Sequence, residues 1–191
     1  MQPNKDNHDH LIAGCLNNDR RSQQRMYELF YGKMLSVCMR YTRNEDQAQD
    51  LVQEGFIKVF ANLHKYKNDG SFEGWVRRIF VNNAIDSFRR KKQDHILPDN
   101  DYHLQNLSDD TDEHAFMDEQ VKHIQPEDVV AAMQQLSPAY QMVFNLYVME
   151  NYAHQDIADK LGINIGTSKS NLSKARVNMK KILSKQFTDF T

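Results

Sequence analysis

Residues 154–176 read HQDIADKLGINIGTSKSNLSKAR. The pattern predicts a short helix from His154 to Leu161, ended by Gly162 as a left-handed cap. A longer helix follows, with Thr167 as its predicted cap and Ser168, Leu172, Ala175, Met179 and Ile182 along one face. Two helices that cross closely need a small residue at the crossing, a turn that often holds Gly, and an apolar plug beside it. Ala158, Gly162, Ile163 and Ile165 meet those needs. The outer face of the second helix presents Lys169, Ser170, Asn171, Ser173, Lys174 and Arg176. A basic face alone, even one extended by Lys180 and Lys181, is ordinary solvated surface. Joined to the turn and the plug it predicts a helix-turn-helix, whose second helix places hydrogen-bonding side chains against base edges in the major groove.

Working outward, helical pattern extends back to Val129. Ser137-Pro138 supplies an N-cap and a proline at the first helical position, and one helix is predicted from Tyr140 to Met149. Before that, from Gln93 to Glu127, the pattern fades. Asp99, Asp101, Asp109, Asp110, Asp112, Glu113, Asp118 and Glu119 dominate, which is the composition of a linker. Upstream again, Met26, Leu29, Phe30, Met34, Val37, Cys38 and Tyr41 recur at helical spacing within Leu11–Tyr41, which reads as one or two helices. Asn44, with Gln47 three residues on, predicts the start of another helix with Ala48, Leu51, Val52, Gly55, Val59 and Leu63 on one face. Ser71 predicts the cap of a helix running to about Lys92. The expected fold is all-α: an N-terminal helical bundle (1–93) and a C-terminal four-helix helix-turn-helix domain (128–191), joined by an acidic linker (94–127).

The helix from Phe72 carries a broad apolar set: Phe72, Trp75, Val76, Ile79, Phe80, Ala84, Ile85 and Phe88. Trp75 and Phe80 read as core. Against them runs a polar stripe, Arg78, Asn82, Asp86 and Arg89, continued by Arg90, Lys91 and Lys92. Amides and cations near aromatic rings suit single-stranded DNA, whose bases stack while its backbone is tracked by charge. On the preceding helix Asp50, Gln53 and Glu54 occupy adjacent turns, where polar groups can dock a partner helix. By themselves they read first as a solvated face.

Bulk properties narrow the class. The 191 residues suit one medium domain or two small ones. Seven Gly and four Pro are few for a turn-rich β protein. The net charge of −2 conceals an asymmetry. Residues 1–93 hold 16 Lys and Arg against 11 Asp and Glu, 94–128 hold 1 against 11, and 129–191 hold 7 against 4. Two mildly basic ends therefore flank an acidic middle, a distribution suited to nucleic-acid contact. Cys15 and Cys38 form neither a disulfide framework nor a zinc site and are expected to be buried, inert thiols of a reducing compartment. Ile12-Ala13-Gly14-Cys15 mimics a lipoprotein cleavage site, but the polar residues Gln2–His10 leave it no apolar signal region. No segment approaches the ~18 apolar residues of a membrane span. A cytoplasmic location is expected.

Three stretches together resemble a family. DLVQEGFIKVF (50–60) resembles the polymerase-binding segment of bacterial RNA polymerase sigma factors. GSFEGWVRRIFVNNAIDSFRRKK (70–92) resembles their segment that melts and reads the −10 promoter element, and residues 136–176 resemble their −35-reading domain. With no third globular domain between them, the chain is similar to the small extracytoplasmic-function (ECF) group. That resemblance implies a promoter-directing subunit, not an enzyme, with no cofactor and no metal. It implies core RNA polymerase (the β′ clamp helices and the β flap), promoter DNA and an anti-sigma factor as partners. Asp50, Gln53 and Glu54 would contact the clamp helices. Asn82 would line the pocket for a flipped −10 base, among Arg78, Arg89, Arg90, Lys91 and Lys92. Thr167, Lys169, Ser170, Asn171, Ser173, Lys174 and Arg176 would face the −35 element. The chain departs from the family pattern at Ser137 (usually Leu), Ser168 (often Val), Asn171 (often Arg) and Asn151 (commonly acidic). Asn171 bears on which bases are read, since Asn prefers adenine where Arg prefers guanine.

Two other readings compete. A stand-alone helix-turn-helix regulator explains 129–191 but not the helix from Phe72, and it predicts a dimer on a palindromic site. A metal enzyme built on His8, His10, His95, His103 or His114 would rest on polar segments, expected to be mobile, with nothing to orient the ligands. For the sigma-factor reading, the promoter elements lie roughly 50 Å apart. A linker of 34 residues reaches about 110 Å when extended, so it spans that gap.

Overall fold

A computed structural model of the chain describes residues 6–94 and 124–188, with side chains for 8–94 and 124–185. Most of the predicted acidic linker lies outside the described residues. So do His95, His103 and His114. Among the described residues the regular structure is helical, with eight α-helices and no strand. They fall into two compact units, Met1–Asp86 and Ser87–Thr191.

The first unit is built from α1 (Asp6–Leu16), α2 (Arg20–Met39), α3 (Glu45–Asn62) and α4 (Phe72–Gln93), whose last turns run past Asp86, with a 3-10 turn at Leu63–Lys65. The stretch Leu11–Tyr41 is thus two helices. They break where Asn18 turns left-handed (φ 57°) and Asp19 caps α2, accepting from the Ser22 N–H at 3.0 Å. The predicted cap of α3 is present: Asn44 Oδ1 accepts from Gln47 N–H at 3.0 Å. Gln47 reaches back to the N–H of Arg43. Glu45 and Asp46 place negative charge at the positive end of the helix dipole. Ser71 caps α4 through the Gly74 N–H.

Apolar residues at i, i+3, i+4 and i+7 bury one face of each helix. The core joins Met26, Phe30, Met34 and Val37 of α2, Val52, Phe56 and Val59 of α3, and Val76, Phe80 and Ala84 of α4. Rings interlock within it. Phe56 meets Phe80 edge-on at 5.3 Å and Phe30 meets Phe72 edge-on at 5.6 Å. Gly55 is required by this packing, because a Cβ there would lie 2.4 Å from the Phe80 ring. His8 is not in a mobile segment as expected: it lies in α1, with its ring 5.7 Å from Phe30 and 5.8 Å from Phe72. Both cysteines are buried and unpaired by any disulfide. Loss of hydration on burial pushes the Cys38 thiol up to about 12 and Cys15 to about 11, so neither carries thiolate near neutral pH.

The second unit holds α5 (Pro126–Gln134), α6 (Pro138–Phe144), α7 (His154–Leu161) and α8 (Ile165–Thr188). Helix α5 begins three residues before the predicted Val129. Pro126 occupies its first turn, and Asp128 Oδ2 accepts from the Gln125 N–H at 2.9 Å. Ser137 caps α6 as expected. The helix predicted for Tyr140–Met149 does not stay α-helical. It widens into a π-helical turn over Asn145–Met149, where the buried Asn145 donates to the Gln141 carbonyl at 3.1 Å. Gly162 ends α7 in the left-handed conformation (φ 62°), as predicted. The core joins Ala132, Met133, Leu136, Tyr140, Ala175 and Met179.

Candidate functional site

On α3, Asp50, Gln53 and Glu54 are all exposed, while Leu51, Val52, Gly55 and Phe56 between and beside them are buried. The structure therefore brings the three polar residues onto one outward face. Ile57 shares it, three and four residues beyond Glu54 and Gln53, and is 69% exposed. Sequence reading passed over Ile57, although its place outside the apolar stripe of α3 marked it as solvent-facing.

On α4, Arg78 and the run Arg89, Arg90, Lys91 and Lys92 are exposed and Asn82 is half-buried. Asp86, in the same stripe, is held by Lys58 of α3 at 3.1 Å. Trp75 is not core: it is half-buried, three and seven residues before Arg78 and Asn82, and so on their side of the helix. Its ring is steadied by Phe72 (centroids 5.8 Å, nearly parallel) and Tyr66 (5.5 Å). Beneath Asn82, Asn83 is fully buried and donates to the Leu51 carbonyl of α3 at 3.3 Å. Sequence reading missed that buried amide.

On α8, the cap lies three residues before the expected position. Asn164 is its cap, its Oδ1 accepting from the Thr167 N–H at 2.6 Å. Thr167 thus sits inside the first turn. The buried face carries Ser168, Leu172, Ala175 and Met179. Lys169, Ser170, Ser173 and Arg176 are exposed, and Thr167, Asn171 and Lys174 are half-buried. The buried Ser168 hydroxyl lies 2.9 Å from Nδ1 of His154, the first residue of α7. The His154 ring stacks on Tyr147 of the π-helical turn at 4.6 Å, and Arg176 covers the same tyrosine at 5.9 Å. Burial, and then the nearby Lys169 and Arg176 charges, hold His154 below its ordinary value of 6.5.

Among the described residues no cluster of His, Cys, Asp or Glu could hold a metal ion. None of the described helices is long and apolar enough to cross a membrane.

Two family descriptions match the chain in order. Sigma-70 region 2 matches residues 26–93 and sigma-70 region 4 matches residues 127–179. The chain belongs to the sigma-70 family. It carries the regions of a promoter-specific transcription initiation factor, and its relatives include named members of the ECF group. This sigma factor is 30% identical over 172 residues to the ECF RNA polymerase sigma factor SigE of Mycolicibacterium smegmatis, across 89% of this chain and 62% of that one. It therefore spans less than two thirds of that relative's length. It is 25% identical to the ECF RNA polymerase sigma factor SigW of Bacillus subtilis, across 82% of this chain and 86% of that one. Among solved structures it is similar to RpoE of Bartonella quintana, crystallised with the anti-sigma factor NepR. That match has a TM-score of 0.48 and 20% identity, over 84% of this chain and 96% of that one.

Proposed function

We propose that this sigma factor docks on core RNA polymerase through α3 and reads a promoter at two places, melted DNA through α4 and duplex through α8. The observation that carries this reading is the presence of regions 2 and 4 in one chain. Asp50, Gln53 and Glu54 form the docking face toward the β′ clamp helices, and the C-terminal unit meets the β flap. Asn82 binds a base displaced from the −10 stack, Trp75 offers a ring beside it, and Arg78 with Arg89–Lys92 neutralises the strand backbone. Lys169, Ser170, Asn171, Ser173 and Lys174 face the −35 bases, with Thr167 and Arg176 placed for its phosphates. The three modules are residues 1–93, an acidic linker 94–127 and residues 128–191. Catalysis belongs to the polymerase; the chain itself is not an enzyme and uses no cofactor. It works in the cytoplasm, under an anti-sigma factor that covers these faces.

Run-off transcription with core polymerase tests the assignment. Asp50→Ala is expected to weaken assembly with polymerase, and Asn82→Ala to leave assembly intact while impairing promoter opening. Unchanged transcription from both variants overturns the site assignments.

A further inference from the structure

Resting on the promoter-reading role above, we propose that His154 is a positioning residue for α8: its contact with Ser168 fixes the reading helix, and protonation of His154 loosens that hold. Ser168 sits on the inward face of α8 and is fully buried. A buried hydroxyl in that place needs a partner, and Nδ1 of His154 is within hydrogen-bonding distance at 2.9 Å. The partner is itself constrained, because its ring stacks on Tyr147. Tyr147 in turn belongs to the π-helical turn that sequence periodicity does not predict. Three elements therefore meet at one imidazole: the π-helical turn, the start of α7 and the first turn of α8.

Lys169 follows Ser168 directly, and Arg176 lies two turns on, over the face of Tyr147. A shift of Ser168 thus displaces the side chains that face DNA. The charges acting on His154 are these same two cations of α8. Tyr147 contributes the face of its ring, and on α7 the nearest carboxylate in sequence is Asp156. A proton on the imidazole adds a third positive charge among Lys169 and Arg176. The Ser168 contact survives only with its direction fixed, Nδ1–H donating to the hydroxyl oxygen. Repulsion among the three cations then acts directly on the first turns of α8. His154 is held below 6.5, so its neutral form supports the fold above that pH. The support is lost as pH falls below it, because the unfolded chain takes the proton first.

The test uses the full chain assembled with core polymerase and a duplex library randomised across the upstream element. Bound DNA is sequenced at about pH 7.5 and about pH 5.5. Wild type is expected to enrich one upstream sequence at the higher pH and to enrich it less at the lower. His154→Ala and Ser168→Ala, with helix content and polymerase binding retained, are expected to reduce enrichment about fivefold to tenfold at the higher pH. His154→Asn keeps an amide near the Nδ1 position and cannot titrate; it is expected to restore enrichment and hold it equal at both pH values. Full enrichment by a folded His154→Ala overturns the inference, as does a folded His154→Asn that fails to restore it. A fall with pH in the Asn variant equal to that of wild type removes the protonation step. A wild type that binds polymerase yet enriches no upstream sequence overturns the promoter-reading role and this inference with it.

Discussion

Two neighbouring residues at the α3–α4 contact should respond to substitution in opposite directions. Gly55 faces the Phe80 ring with no room for a methyl group. Phe80 cannot swing aside, because it is fully buried and packed edge-on against Phe56. Overfilling such a contact costs about 1–3 kcal/mol, so Gly55→Ala should lower the thermal midpoint of the first unit. Asn83 presents the reverse case. Its amide donates to the Leu51 carbonyl, but its buried Oδ1 has no partner among the described residues. An unsatisfied buried acceptor costs about 1–3 kcal/mol. The Leu51 carbonyl, inside α3, keeps its own helical hydrogen bond if Asn83 is removed. Asn83→Leu should therefore leave stability unchanged or raise it, and a chemical denaturation curve would show a midpoint at or above wild type. A large fall would mean that the amide's single contact outweighs its unpaired oxygen. Neither residue announces itself in the sequence. Gly55 falls on a predicted apolar face, but its reason is the Phe80 ring, 25 positions on and in no local pattern. Asn83 adjoins Asn82 in a visibly polar stripe, and only the packing shows that one amide points out while the other points in.

Element boundaries were legible where a side chain caps the backbone directly. Asn44, Ser71, Ser137 and Gly162 each end or begin a helix where expected, because their chemistry acts within three or four residues. Legibility failed where two neighbours compete for the same role. Asn164 and Thr167 are both capable caps, and the backbone uses Asn164. It failed again where composition misled: the acidic run through Glu127 hid a helix start at Pro126, although acidic first turns favour helices. The π-helical turn has no sequence periodicity of its own. On α3 the pattern of faces was readable, and it leads to a prediction at that scale. Asp50, Gln53, Glu54 and Ile57 occupy one exposed surface. Docking on a partner would bury this exposed aliphatic among acceptors, with polar groups setting orientation and apolar burial supplying affinity. Ile57→Ala should weaken binding to core polymerase by about 1–2 kcal/mol, roughly fivefold to thirtyfold. Its thermal stability should match wild type because the side chain buries little in the free chain. Equilibrium binding of labelled protein to core enzyme checks both halves, and undiminished affinity would exclude Ile57 from the face.

Charge governs the molecule as a whole. A free-standing DNA binder needs enough basic surface to release counterions, and its affinity then falls steeply with salt. This chain has a net charge of −2 and a sequence pI near 6.4, despite the exposed cations of α4 and α8. Its excess of acid is concentrated between Asp94 and Asp128, between the stretches assigned to DNA. The surface proposed for duplex reading is also small: on α8 the exposed or half-buried cations of that face are Lys169, Lys174 and Arg176. Even with all three neutralising phosphates the salt slope would be only about 2.7, too shallow to sustain tight binding by electrostatics alone. Occupancy therefore has to come from joining the two surfaces through a common partner, which converts the second contact into an intramolecular one. The free chain should bind promoter duplex weakly at physiological salt, in the range of non-specific complexes at about 10⁻⁴–10⁻⁶ M. Addition of core polymerase should bring a specific complex at nanomolar protein. Fluorescence anisotropy with labelled promoter, with and without core enzyme across a salt series, measures both states. Tight sequence-specific binding by the free chain would show that one surface suffices, and the case for a shared partner as the source of affinity would fail.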